Sequence, residues 1–343
     1  MSLRQKSTEK LVRGEVVLHC FALQCLTHLF LARTRYSEYP TLATYYFMLN
    51  TGRMADFSFL KNNVSKKWVV KAPRRSKRPD VANGKLPICP FCNNHEKPVY
   101  KLGGTPETEE WDVKVIPNKF PFTDPHELVI HSPDHHKNFE KLPIPHIELI
   151  LKAYRHRYNE HAHKGQVYIF HNRGKKAGES IPHPHTQITV VPDKVYLDLP
   201  LRRSIETDVA HGLATTHFMI VCPSTSQWPD EVWIAPTKAG EVFGMITDDA
   251  INDLSHILFS LVIIFDLRYQ HDFPFNFYIY PDQNWYLRII PRKKALGGFE
   301  VGSGVIVNTQ DPAETMEFVR THFHKPDIEK ILKEHIADYH EHV

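Results

Sequence analysis

The segment Asn172 to Gln187, NRGKKAGESIPHPHTQ, concentrates residue types suited to phosphate chemistry. Gly174 and Gly178 let the backbone turn tightly and approach a ligand closely. Asn172 opens the segment and Ser180 supplies a hydroxyl. His183 and His185 are separated by one residue, so on an extended chain both side chains share a face, which Gln187 continues. Three polar side chains in register beside a glycine-containing loop make a phosphate site. In a chain with 23 histidines a His-X-His pair also arises by chance, and it is the surrounding residues that make this one specific.

Two other segments carry candidate chemistry. Cys89 and Cys92, in CPFC, have the spacing of half a tetrahedral zinc site. The same spacing serves a redox pair or plain packing, although a redox pair is expected to open a helix after a strand, and the flanks here are rich in Pro and Asn. Upstream, APRRSKRPD offers arginine forks for phosphate oxygens, or a solvated basic loop.

NRGKKAGESIPHPHTQ resembles the active-site signature of galactose-1-phosphate uridylyltransferases, members of the histidine-triad superfamily: Asn, Gly, Gly, Ser, then His-Pro-His-X-Gln. The resemblance implies that His185 is the nucleophile, attacking the α-phosphorus of a nucleotide sugar and becoming nucleotidylated. It makes Ser180 and Gln187 its catalytic companions. Asn172, Gly178, Ser180 and Gln187 become nucleotide- or phosphate-binding residues. A backbone carbonyl near His183 is expected to fix the tautomer of the nucleophile. Histidine-triad hydrolases usually carry a third histidine where this chain has Gln187. An amide holds a phosphoryl oxygen without adding an acid, so the resemblance favours transfer over hydrolysis.

The resemblance extends to the metal. Its third ligand falls in Ser132-Pro133-Asp134-His135 and its fourth on the first histidine of His-Pro-His, giving Cys89, Cys92, His135 and His183. Four ligands close the sphere, so one structural zinc ion per chain is expected. Trp68 to Pro79, WVVKAPRRSKRP, is similar to the family's amino-terminal segment, with Arg75 and Arg78 at its nucleotide-contacting arginines. Asn118, in PNKFP, matches a residue near the nucleoside; the next residue is Lys119 where some relatives have aspartate, which leaves the base open. The similarity runs from Trp68 to Arg320, more strongly in the first half; WPDEVWIAPTK, from Trp228, and FEVGSG, from Phe299, carry the second.

Two departures bear on substrate. Tyr286 and Arg288 replace a second metal-binding His-X-His, and Ser303 and Gly304 replace a Tyr-Glu pair that contacts the hexose. The Gly-Ser-Gly form is closer to ADP-glucose phosphorylase-like members. The implied activity is a nucleotidyltransferase moving a nucleoside monophosphate between sugar 1-phosphates through a nucleotidyl-histidine. Alternatives are a nucleotide-sugar phosphorylase or hydrolase, or an inactive zinc-braced nucleotide-binding protein. Expected partners are a nucleotide sugar and a sugar 1-phosphate or phosphate, with no nucleic acid and no membrane; a homodimer is allowed.

These residues need elements to hold them. Alternation or short apolar runs predict strands at Trp68 to Lys71, Trp111 to Val115, Glu127 to His131, Val167 to His171 and Ile188 to Val191. Helical spacing of Ile147, Ile150, Leu151, Tyr154 and Tyr158 predicts a helix from Pro145 to His161. After a linker at 193–204, strands are expected at Thr216 to Cys222, Glu231 to Ala235, Phe275 to Tyr280 and Trp285 to Ile290. Helices are expected at Asp248 to Leu267, Pro312 to Thr321 and Asp327 to Tyr339. The repeated order predicts an α+β fold of two tandem histidine-triad-like units, each an antiparallel sheet with packed helices. The expected division is an extension over 1–53, a catalytic unit with the zinc site over 54–200, and a degenerate second unit over 201–343. The second unit's matching strand reads WYLRIIP, without the histidines.

The 343 residues are 42% hydrophobic and 24% charged with a net charge of +3, which suits a soluble protein and gives no whole-chain case for nucleic-acid binding. Five cysteines without regular spacing fit a reducing cytoplasm better than a disulfide framework. Val16 to Ala32 reads as a signal peptide, a short membrane helix, or an extension upstream of a functional start at Met54. Its His19, Gln24 and His28 weigh against the first two.

Overall fold

The computed structural model describes residues 57–331 except 66, 79–88, 93–95, 105–109, 207, 209–210, 272, 327 and 329–330. The expectations for the apolar amino-terminal segment, Met54 and the last helix fall outside the described residues.

Strands β1 (Ser58–Lys61) and β2 (Trp68–Lys71) form a hairpin. The other ten make one antiparallel sheet: β3 (Tyr100–Leu102), β4 (Val113–Pro117), β5 (His126–Ile130), β6 (Gln166–Arg173), β7 (His185–Val191), β8 (Leu213–Ala214), β9 (Phe218–Val221), β10 (Val232–Pro236), β11 (Phe275–Ile279) and β12 (Leu287–Pro291). Their order is β3-β4-β5-β7-β6-β11-β12-β10-β9-β8. Read inward from either edge, the two halves repeat one arrangement. The duplication expected from the sequence is therefore visible, and the two half-sheets are fused through β6 and β11, where Phe277 pairs with His171.

Four helices are described: α1 (Ile144–His161), α2 (Asp248–Arg268), α3 (Gly298–Ser303) and α4 (Pro312–His322). α1 and α2 bury their apolar stripes on one face of the sheet: Ile150, Leu151 and Tyr154 from α1 meet Ile257, Leu261 and Phe265 from α2 and Ile169, Ile188, Phe277 and Ile289 from the strands. α2 is long and apolar enough to cross a bilayer, but its apolar side lies in this core. Its start is set by the Thr247 hydroxyl accepting from Ala250 N, with Asp248 and Asp249 at the positive end of the helix dipole.

The alternation of β6 decides what faces the site. Val167, Ile169 and His171 point into the helix-covered core, whereas Tyr168, Phe170 and Asn172 point to the opposite face. The predicted strands are present with ends shifted by a few residues. β7 starts at His185, earlier than Ile188, so the nucleophile candidate is itself a strand residue.

Candidate active site and metal centre

Because β7 starts at His185, successive side chains alternate across the sheet. His185 and Gln187 line a pocket on the helix-free face, with Thr186 between them on the helix side. The pocket is completed by Ile116, Asn118, Lys119, Phe120 and Leu128, by Phe91 from the Cys loop, and by Arg78 and Ser180. The lining is thus partly apolar and carries a guanidinium, a hydroxyl, two amides and the ion pair of Lys119 with Glu96.

His185 is 6% exposed. Its Nδ1 lies 2.9 Å from the backbone oxygen of His183, a carbonyl that only accepts, so Nδ1 carries the proton and Nε2 the lone pair. Burial pushes its pKa down to about 4, outweighing the opposing bond to His183. At neutral pH the ring is an uncharged nucleophile. The tautomer expected from the sequence is the one this carbonyl enforces.

Gln187 Oε1 lies 3.0 Å from His126 Nε2, and Asn118 Nδ2 lies 3.1 Å from the same nitrogen. Asn118 Oδ1 accepts from Phe120 N at 2.9 Å. Burial lowers the His126 pKa to about 3, so the imidazole stays neutral. The sequence reading missed His126, whose only signal is its place at the start of a strand. It also missed Phe91, whose ring packs edge-on against His183 and His185 at 5.8 and 5.1 Å between centroids.

Other expected residues are placed differently. Arg75 does not line this pocket: its Nη1 donates to Phe120 O at 2.6 Å and its guanidinium lies over the Phe122 ring, so it braces the 118–122 loop beside Arg78. Asn172 lines a neighbouring cavity of about 680 Å³ on the same face. Its Oδ1 accepts from Asn276 Nδ2 at 2.7 Å, and Asn276 also donates to Ala177 O at 2.8 Å. The second half therefore holds the glycine loop from behind. Gly178 sits in that loop at φ +80°, and Gly174 at φ +82°, where a Cβ would come within 2.9 Å of Pro274.

Cys89, Cys92, His135 and His183 converge, with their ligand atoms all within 4.8 Å of one another. Cys92 Sγ lies 3.3 Å from His135 Nδ1 and 3.4 Å from His183 Nδ1; Cys89 Sγ lies 3.7 Å from His183 Nδ1. Sulfur and nitrogen at about 2.3 and 2.05 Å from a tetrahedral zinc stand roughly 3.6 Å apart, so the cluster fits such an ion. His183 Nε2 donates to Ser132 O at 2.8 Å, which leaves Nδ1 for a metal. His136, adjacent to His135, is outside the cluster. Tyr286 and Arg288 are buried in the second half, where Glu231 accepts from Arg288 through both carboxylate oxygens at 2.7 and 2.8 Å.

A sequence model of the galactose-1-phosphate uridyl transferase amino-terminal domain matches residues 125–191, the stretch that holds His126, His183, His185 and Gln187. The chain is 27% identical to ADP-glucose phosphorylase of Arabidopsis thaliana over 321 residues, covering 76% of this chain and 91% of the relative. It is 23% identical to galactose-1-phosphate uridylyltransferase of Thermotoga maritima over 256 residues, covering 62% and 77%. A crystal structure of the Arabidopsis thaliana ADP-glucose phosphorylase with bound ADP-glucose superposes with a TM-score of 0.59 at 23% identity, over 78% of this chain and 99% of the other. The fold and sequence similarities agree: the chain is similar to galactose-1-phosphate uridylyltransferases and to ADP-glucose phosphorylase, and it shares the fold of the latter.

Proposed function

We propose that this protein is a nucleotidyltransferase that takes a nucleoside monophosphate from a nucleotide sugar onto His185 and passes it to a phosphate-bearing acceptor. The observation that carries this reading is the buried, neutral His185, with Nδ1 committed to the His183 carbonyl and Nε2 left as the nucleophile. Nε2 attacks the α-phosphorus, and the bond from phosphorus to the sugar 1-phosphate oxygen breaks with its electron pair on the leaving group. An oxygen of the acceptor phosphate then attacks phosphorus, and the electron pair of the P–N bond returns to Nε2. The leaving group departs as a phosphate anion, so no general acid is required, in keeping with an amide at Gln187. When Nε2 of His126 carries its proton, Gln187 Oε1 accepts it, and the amide N–H2 remains for a phosphoryl oxygen. Arg78 and Ser180 supply further phosphate contacts, and the apolar wall at Ile116, Phe120 and Leu128 takes the nucleoside. Arg75 and Asn172 support this site through the 118–122 loop and the glycine loop.

Cys89, Cys92, His135 and His183 would hold one zinc ion, whose chemistry is structural: four protein ligands close its sphere and tether the Cys loop to the strand of the nucleophile. On this reading residues 54–200 carry the chemistry, and residues 201–343 are the degenerate unit that braces it.

A second acceptor fits the same intermediate. By the resemblance Ser303 and Gly304 stand where uridylyltransferases carry a hexose-contacting Tyr-Glu pair, and the Ser303 hydroxyl is turned back onto Phe299 O at 2.6 Å. This favours inorganic phosphate as acceptor, making the enzyme a nucleotide-sugar phosphorylase, the activity named for the Arabidopsis thaliana relative.

Mixing the protein with ADP-glucose or with a UDP-hexose, followed by intact-mass measurement, is expected to show one nucleoside monophosphate added and sugar 1-phosphate released. The adduct should be labile to acid and stable to mild base. Chasing it with phosphate or with a hexose 1-phosphate then identifies the acceptor by its product. Absence of an adduct with every nucleotide sugar overturns the proposal.

A further inference from the structure

Behind the nucleophile, on the helix-covered side of the sheet, the apolar core is interrupted by four fully buried polar side chains: His131, Tyr154, His171 and Thr186. Thr186 lies between His185 and Gln187 and faces away from the pocket, and its hydroxyl is the hub. Tyr154 OH lies 2.5 Å from Thr186 Oγ1, His131 Nε2 lies 2.8 Å from it, and His131 Nε2 is 3.0 Å from Tyr154 OH. His171 Nδ1 donates to the backbone oxygen of His185 at 2.9 Å and lies 3.3 Å from Thr186 Oγ1. The His131 backbone N–H donates to Pro184 O at 3.1 Å, and His146 Nε2 donates to His131 O at 2.7 Å. The segment 183–186 is thus gripped from β5, β6 and α1 together.

Stability does not explain this cluster. Among the described residues His131 Nδ1 and His171 Nε2 are buried without a hydrogen-bond partner, and burial lowers both pKa values, so each ring stays neutral with one ring nitrogen unpartnered. Apolar side chains of the same shape would carry no such cost. A buried polar network with unfilled partners is retained where it specifies a geometry. The geometry specified here is that of the His183–Gln187 backbone, whose His183 carbonyl fixes the His185 tautomer and whose His185 carbonyl is itself held by His171.

We propose that His171 and the Thr186 hydroxyl, with His131 and Tyr154 behind them, are positioning residues that aim His185 Nε2 at the α-phosphorus from the far side of the sheet. This role rests on the nucleotidyl-transfer reading. The network lies across the sheet from the pocket lining, so it acts on the rate of the chemical step and leaves ground-state binding of the nucleotide sugar alone.

The test compares His171→Leu, His171→Asn and Thr186→Val with the full-length protein. Asparagine places an amide N–H close to the position of the imidazole Nδ1–H; leucine removes it. The single-turnover rate of nucleotidyl-enzyme formation is expected to fall about tenfold to a hundredfold in His171→Leu and Thr186→Val, since misplacement by an ångström has effects of this size. The nucleotide-sugar concentration that half-saturates this single-turnover step should be unchanged, and His171→Asn should recover most of the loss. Crystal structures of the two slow variants should show the His185 ring rotated or split between rotamers. A lowered melting temperature with a wild-type rate of adduct formation overturns the proposal and makes the network structural only. A loss in His171→Leu that His171→Asn does not recover overturns the role of the Nδ1–H. If the unmodified protein forms no adduct, nucleotidyl transfer fails, and the crystal structures still decide: an unmoved His185 in both variants overturns the positioning role.

Discussion

The two halves of the sheet share one strand order and fill corresponding places differently. In the first, β7 presents His185 and Gln187 to an open pocket, and Nε2 of His185 has no protein partner among the described residues. In the second, Tyr286, just before β12, and Arg288 of β12 face a closed cluster. Arg288 is clamped by Glu231, donates to Gln227 Oε1 and Tyr278 OH at 3.1 and 3.2 Å, and lies over the Trp233 ring. Tyr286 OH donates to Pro200 O at 2.5 Å, and its ring stacks on Trp233 at 4.2 Å. One scaffold therefore supports either a reactive surface or a locked one, depending on whether the polar tips of the central strand are left for a ligand or tied to protein. Tying them stabilises; leaving them open keeps chemistry available.

The sharpest way to break this contrast is to remove the open tip. His185→Gly should lower turnover by at least about three orders of magnitude, as expected when a nucleophile is removed from a cooperating site. The metal content should stay at the wild-type level, because His183 and not His185 belongs to the Cys–His cluster. Steady-state kinetics with metal analysis on the same sample checks both. Turnover at the wild-type rate would return His185 to an ordinary strand histidine.

The next largest effect is expected at the Cys–His cluster proposed to hold the metal, which has no counterpart among the described residues of the second half. Cys89→Ser should lose the bound metal and lower the melting temperature by roughly 10 °C or more, because a structural zinc contributes directly to folding. Full occupancy in this variant would remove Cys89 from the ligand set.

The locked half should respond in stability alone. Arg288→Ala leaves the Glu231 carboxylate buried with its clamp removed, a loss of about 3–5 kcal/mol in unfolding free energy. Replacing both partners, Arg288→Met with Glu231→Leu, should bring stability back near the starting value. Adduct formation at His185, measured below the melting point, should be unchanged in every one of these proteins. A kinetic defect in Arg288→Ala would show that the halves are coupled beyond bracing.

How much of this the sequence reveals depends on the range of the interaction. The polar run from Asn172 to Gln187 is contiguous, and glycine turns and alternation are local rules, so the pocket residues His185, Gln187 and Ser180 are legible directly. The metal cluster is legible because the resemblance adds His135 and His183 to the CPFC pair. The strands and long helices follow from apolar periodicity. The fusion of two half-sheets through β6 and β11 is not legible: Phe277 and His171 are paired across a hundred residues by topology alone. The same holds for Asn276 behind the glycine loop and for the quartet around Thr186. His131, Tyr154 and His171 occupy positions that periodicity assigns to the core, and nothing local marks them as partners of one hydroxyl. Arg75 shows another limit of local rules: its segment is legible but its contacts are not, since the short 3-10 turn at Pro73–Lys77 is followed by Arg78 at the pocket while Arg75 meets Phe120 and Phe122.

The smallest expected effect concerns whether the open half is also the pH-sensitive one. Glu179 closes the glycine loop, accepting from Gly174 N at 2.8 Å through Oε2. Burial raises its pKa from 4.5 to about 7, against the opposing pull of the Gly174 N–H and of Arg173. A folded-state pKa above the unfolded one means that the folded protein holds an extra proton in between. This contribution to stability is complete below about pH 4.5 and is lost as pH rises through about 7. Glu179→Gln is neutral at every pH and keeps an oxygen for the Gly174 N–H. Relative to this variant, the wild-type protein should therefore lose stability between pH 5 and pH 8, by about 1–2 kcal/mol once solvent screening of a half-buried group is counted. Urea unfolding of both proteins at the two pH values measures the difference. A constant gap between them would mean that Glu179 titrates as an ordinary carboxylate and that the loop around the nucleophile is held independently of pH. A gap that widens in the opposite direction would mean that the charged carboxylate, bound to Gly174 N–H and drawn by Arg173, is the form that the folded loop prefers.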